Sequence, residues 1–194
     1  MDSPLLLAKA AKEGRWKAFF WEAWDKVRLR YRPTPAVETV WVNDFFVQDV
    51  VKRVRVSDTP CIVFYEPRAL GQAIARAGNF ALYDADRDPT TATENVIVAS
   101  IGAHGTGKNL QRYSRLVVVS PPASGTIWEQ MIGRIHRPGQ EADEVVVEYY
   151  GHTFEMQKAV DQAIEDAKYI QETQGSKQKL LYATWVNHKP DTSM

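Results

Sequence analysis

Between residues 61 and 150 the chain repeatedly sets down four to six mostly apolar residues and then breaks off. The runs fall at 61–65, 80–83, 96–100, 116–120 and 145–150. A strand with one wet face alternates apolar and polar residues. Unbroken runs such as Ile62-Val63-Phe64 and Leu116-Val117-Val118-Val119 instead predict strands buried on both faces. Stretches with helical spacing fill two of the four gaps between them, at 68–77 and 126–137, and two more lie at 43–53 and 153–170. Strand alternating with helix predicts an α/β fold, a mostly parallel central sheet sandwiched in three layers and joined by right-handed crossovers. Sheets of this kind hold ligands at the carboxyl ends of their strands.

Outside this block the pattern changes. Ser3-Pro4 has the form of a helix start, and Trp16, Phe20, Trp24, Val27 and Tyr31 recur at helical spacing. That wide aromatic stripe serves either its own domain or the docking of another. Arg32-Pro33-Thr34-Pro35 breaks the helix. The organisation read from these signals is an amphipathic helix and proline-containing linker over 1–42, an α/β domain over 43–174, and a tail over 175–194.

Composition excludes several classes. Hydrophobic residues are 44% and charged residues 25% of the 194, close to the globular average and unlike a disordered chain. The longest apolar run is residues 61–65, against about 20 residues for a membrane span. One cysteine cannot form an internal disulfide, and no secretory signal is visible, so a reducing, cytoplasmic setting is expected. Net charge is zero, and residues 141–194 carry 5 basic against 10 acidic side chains. Any contact with nucleic acid must therefore be local rather than a bulk electrostatic effect.

Two segments carry chemistry. Residues 102–109 nearly match the phosphate-cradling pattern G-x-x-x-x-G-K-[ST], with Gly102, Gly107 and Lys108 in place. Asn109 stands where a Mg²⁺-binding hydroxyl is required. The next strand also begins too soon for the long helix that such a loop must open. The segment reads better as a glycine-rich turn presenting backbone N–H groups and short side chains. Further on, Gln130, Arg134 and Arg137 fall within about 60° on a wheel of 100° per residue. The apolar Trp128, Met131, Ile132 and Ile135 point the other way. Thr126 and Glu129 have capping-box spacing, and Pro138-Gly139 stops the helix. A guanidinium fork suits phosphate oxygens. His104 and His136 lack partners at metal-ligand spacing, so no metal site is expected.

Taken together, residues 96–140 resemble the second RecA-like domain of superfamily 2 helicases, the Swi/Snf-type branch in particular. Residues 105–111 (Gly-Thr-Gly-Lys-Asn-Leu-Gln) are similar to that branch's motif V. Residues 130–140 (Gln-Met-Ile-Gly-Arg-Ile-His-Arg-Pro-Gly-Gln) are similar to its motif VI. Residues 61–66 resemble motif IV, and residues 151–155 resemble the opening of the helix after the last strand. The resemblance implies a RecA-like fold and a share in an ATP-dependent helicase or translocase. Arg134 and Arg137 would be arginine fingers positioned by Gln130. Gly105, Gly107 and Asn109 would face the nucleotide, and Thr106, Lys108 and Gln111 nucleic acid, taken as DNA. ATP with Mg²⁺ would be shared with a partner RecA-like domain carrying the P-loop and the acidic metal-binding motif, neither of which occurs in this sequence. Little ATPase activity is expected of this chain alone. Two other classes compete: a non-catalytic helicase-like binding or regulatory protein, and a self-contained P-loop NTPase.

Overall fold

The computed structural model describes Lys26 and residues 39–105 and 107–189. The chain divides between Val40 and Trp41, and the architecture below belongs to the second unit. The aromatic stripe at 16–31 and the linker after it lie outside the described residues.

Six strands form one fully parallel sheet: β1 Cys61–Tyr65, β2 Ala81–Tyr83, β3 Val96–Ser100, β4 Arg115–Val118, β5 Val146–Tyr150 and β6 Thr184–His188, in the order β2-β3-β1-β4-β5-β6. The helices are α1 Phe45–Arg55, α2 Arg68–Gly78, the single turn α3 Ile101–His104, α4 Gly125–Ile135 and α5 Phe154–Gln174. All five residues of β1 and all four of β4 are buried, as their unbroken apolar runs require.

The sheet's two faces hold separate cores. Cys61, Val63, Tyr65, Val117 and Tyr150 pack against α1 and α2 through Val47, Val50, Val54 and Ile74. Ile62, Phe64, Ile97, Leu116 and Val147 pack against α4 and α5 through Trp128, Met131, Ile135, Val160 and Ala163. The chain leaves β1 towards the β2 edge and, after β2, moves steadily the other way. A right-handed crossover that reverses direction must change faces, which is why α2 and α4 lie on opposite sides. The RecA-like three-layer arrangement is thus observed.

Three expectations are corrected. First, residues 175–194 are not simply a tail, because Thr184–His188 forms the sixth strand, paired in parallel with β5. Its sequence, Thr-Trp-Val-Asn-His, is that of a half-wet edge strand, not a buried run. Second, α4 ends at Ile135 rather than Arg137. A residue preceding proline is disfavoured in the helical region, so Pro138 drives Arg137 off the helix. Third, there is no capping box: Ser124 is the N-cap, and the Glu129 carboxylate instead accepts from Lys179 Nζ (3.1 Å) and Leu180 N (3.3 Å). Glu129 thereby ties α4 to the segment that leads into β6.

Candidate functional site

The connection between β3 and β4 crosses the α4 face of the sheet with no helix beyond the single turn α3. Gly105 closes that turn. A Cβ there would lie 2.6 Å from the Ile101 carbonyl oxygen, so the tight turn excludes larger residues. Gly107 has φ +77°. Past it the chain runs along the sheet, burying Leu110 and Tyr113, and Arg112 Nη1 donates to Ala92 O (2.8 Å). The described residues between Gly107 and Ser114 contain no helix. The helix N-terminus that a phosphate cradle requires is therefore not built here.

Helix α4 meets this loop. Trp128, Met131, Ile132 and Ile135 are buried, and Trp128 Nε1 donates to Pro122 O (2.9 Å). The small Gly125 lets α4 approach α5, since a Cβ there would sit 2.7 Å from Ala163 O. The opposite face leaves Gln130 and Arg134 half-buried. Arg134 Nη1 donates to Lys108 O (3.3 Å), and Leu110 N donates to Arg134 O (3.1 Å). Arg134 Nε is buried with no hydrogen-bond partner. Burial first, and then the nearby charge of Arg137, lower the Arg134 pKa. Among the described residues neither arginine has an ion-pair partner. Arg137, exposed beyond the helix, turns its Nε back to Gly133 O (2.7 Å). The turn that follows closes through Gln140 N to Arg137 O (3.0 Å) and Gly139 at φ +94°.

The other residues read from the sequence divide. Thr106 lies outside the described residues. Asn109 is exposed and accepts from Gln111 N through Oδ1 (3.4 Å). The Gln111 side chain lies against Gly139, where a Cβ would be 3.2 Å from Nε2, so it braces the arginine turn. Lys108 pairs with Asp88 (3.1 Å). The Thr90 N–H, then Lys108 and the Thr90 hydroxyl, hold the Asp88 carboxyl down at about 2. The loop thus meets the arginine segment at Lys108 O and Leu110 N, both on Arg134, and at Gln111, beside Gly139. Gly105 lies one turn past the carboxyl end of β3, and the side chains of Lys108 and Gln111 are engaged within the protein.

The position of that meeting was not foreseen. Helix α4 joins the carboxyl end of β4 to the amino end of β5, so its last turn lies where the strands begin. Gln140 Nε2 donating to Tyr113 O (3.0 Å), two residues before β4, fixes this. The arginines therefore do not face the carboxyl-end crevice expected of such a sheet.

Sequence reasoning also missed a buried ionic cluster. Arg115 on β4 gives Nε and Nη2 to the two Glu148 oxygens, and its Nη1 and Nη2 also reach Val54 O (3.2 Å) and Arg53 O (3.0 Å). His188 Nε2 on β6 meets Glu148 Oε2, the oxygen that Arg115 Nη2 also reaches. Burial pushes the Glu148 pKa up, but hydrogen bonds from His188 and Arg115 outweigh it and hold the carboxyl at about 2. The available signal was a glutamate inside the apolar run 145–150, since a buried charge demands a partner.

Comparison with known proteins gives the fold. No family model matches the chain, and no curated protein matches it. The chain is similar to a solved structure described as the C-terminal part of the Fun30 ATPase domain. The TM-score is 0.52 at 11% identity, over 73% of this chain and 51% of that one. The chain thus spans about half the length of that structure.

Proposed function

We propose that this chain is the C-terminal RecA-like half of an ATP-dependent helicase or translocase acting on nucleic acid. It supplies Arg134 and Arg137 to an ATP site that a partner RecA-like domain completes. The observation that carries the reading is the Arg134 guanidinium. It is half-buried and aligned by the Lys108 carbonyl, has no carboxylate partner among the described residues, and keeps a buried Nε unsatisfied. An orphaned buried donor costs stability, and of the guanidinium's other nitrogens only Nη1 has a partner among the described residues, which leaves Nη2 for an incoming phosphate oxygen. The arginines' place at the amino-end rim also favours service to a site on another domain over a crevice of this sheet.

These residues fit one end of MgATP only. Arg134 and Arg137 would hold the terminal phosphate, while the described residues offer no metal-holding group of three or more His, Cys, Asp or Glu. When bound, ATP would supply the phosphoryl group whose transfer to water releases the energy of the cycle. Arg134 and Arg137 would neutralise charge that builds on the transferring group. Gln130, on the same helix face, would orient them. The Lys108–Arg134 contact would transmit closure of the interface to Gly105, Gly107, Thr106 and Asn109. The measurement is nucleic-acid-stimulated ATP hydrolysis by the chain mixed with a P-loop-bearing partner recovered by co-purification. Stimulation lost in Arg134→Ala supports the reading. Robust, saturable turnover by the purified chain alone contradicts it.

A second reading, a helicase-like binding protein without catalysis, is favoured by the Lys108–Asp88 pair. That pair spends a cation otherwise available to nucleic acid. Biological activity unchanged in both Arg134→Ala and Arg137→Ala would select it.

A further inference from the structure

We propose that the cavity at the start of β5 and β6 is a second ligand site and takes a nucleoside phosphate, guanine nucleotides in preference to adenine ones. The cavity measures about 640 Å³, within the usual range for small-molecule sites. Four segments contribute distinct chemistry to it. Arg137 comes from the turn after α4, Asp143 and Glu144 from the loop into β5, Lys177 from the stretch after α5, and Tyr182 from the approach to β6.

None of these four charged side chains has an ion-pair partner among the described residues, whereas Lys179 beside them is taken by Glu129. Tyr182 is 65% exposed, an unusual position for a large aromatic ring without a partner surface. Ile132 and Val147 give the cavity an apolar floor.

The frame is pinned in place. The Gln140 amide donates to Tyr113 O (3.0 Å) and Ile135 O (2.9 Å), and its carbonyl accepts from Ala142 N (3.0 Å). Glu129 holds Lys179 and Leu180 on the other side.

Unpaired cations and unpaired carboxylates lining one cavity reject simple ligands. A bare anion meets Asp143 and Glu144, and a bare cation meets Arg137 and Lys177. A nucleotide answers all three chemistries. Its phosphate suits the guanidinium and ammonium groups, its ring stacks on an exposed aromatic, and its base edge can donate to a carboxylate that only accepts. Guanine offers two adjacent donors on that edge, N1–H and N2–H, where adenine offers only N6–H.

The site does not depend on the arginine-finger reading. Because Arg137 belongs to both, the test leaves it unchanged. The full chain is titrated calorimetrically with GMP, AMP and a four-nucleotide DNA containing one guanine. The expected result is saturable GMP binding that is stronger than AMP binding. Tyr182→Ala should weaken GMP by about fivefold or more, and Lys177→Ala should weaken GMP and AMP alike. The double variant Asp143→Asn with Glu144→Gln should erase the preference for GMP. A tetranucleotide that binds more tightly than GMP assigns the site to a strand, and equal affinity assigns it to the free nucleotide. All of these variants lie on the surface, and circular dichroism checks their fold. Absence of saturable GMP binding, or unchanged affinity in folded Tyr182→Ala, overturns the proposal. Partner-stimulated ATP hydrolysis is expected to survive Tyr182→Ala, so failure of this site and failure of the proposed function are separable.

Discussion

Two arginines at the same rim of the sheet are treated in opposite ways. Arg115 is almost wholly spent: both oxygens of Glu148 and two carbonyls at the end of α1 accept four of its five N–H groups. Among the described residues the Arg134 side chain makes one hydrogen bond, to Lys108 O, and leaves Nε buried without a partner. The first pattern belongs to a group whose work is holding β4, β5 and α1 together. The second is the pattern that the proposed function expects of a group whose partner comes from outside. Burial alone does not separate them. The count of satisfied donors does, because desolvating a guanidinium is costly in either case and only one of the two costs is offset internally.

The largest expected effect falls on the open arginine. In the partner-reconstituted ATPase assay, Arg134→Ala should lower turnover about 10³-fold or more, with little change in melting temperature. A large loss of stability instead would make Arg134 another Arg115. The spent arginine should behave inversely. Glu148→Ala strands a buried cation and should cost about 3–5 kcal/mol in urea unfolding.

That cluster also sets an acid limit. The folded carboxyl of Glu148, at about 2, lies below its unfolded value. Its contribution is therefore complete above the unfolded carboxylate range near 4.5 and is lost as pH falls towards 2. Glu148→Gln should flatten stability across that window, measured by urea melts at stepped pH. A parallel slope in wild type and variant would assign the acid sensitivity elsewhere.

Gly139→Ala tests the brace between the two motifs. At φ +94°, and with Gln111 Nε2 3.2 Å from the new Cβ, it should cost about 1–3 kcal/mol, read as a lower melting temperature. The smallest effect is expected at Lys108. Because Asp88 already engages it, Lys108→Ala should change nucleic-acid affinity less than about twofold in a salt-matched titration. A large loss would return Lys108 to the contact surface.

The strand pattern was open to direct reading because full burial on both faces leaves no choice but continuous apolar runs. Residues 61–65 and 96–100 were located to the residue. The glycine turn and the arginine helix were legible for a similar reason. Positive φ, tight turns and a 3.6-residue period are local demands, written into neighbouring residues. Edge strand β6 was not legible, since half-wet strands mix polar and apolar side chains and look like loop.

Local chemistry thus specified which residues become strand, turn and helix, and that Gln130 and Arg134 share a face. Tertiary contact alone decided which charges remain available. Asp88 reaches Lys108 from 20 positions away, Glu148 reaches Arg115 from 33, and no carboxylate among the described residues reaches Arg134. Pairing depends on distances through space between segments far apart in the chain, and a linear string does not carry those distances.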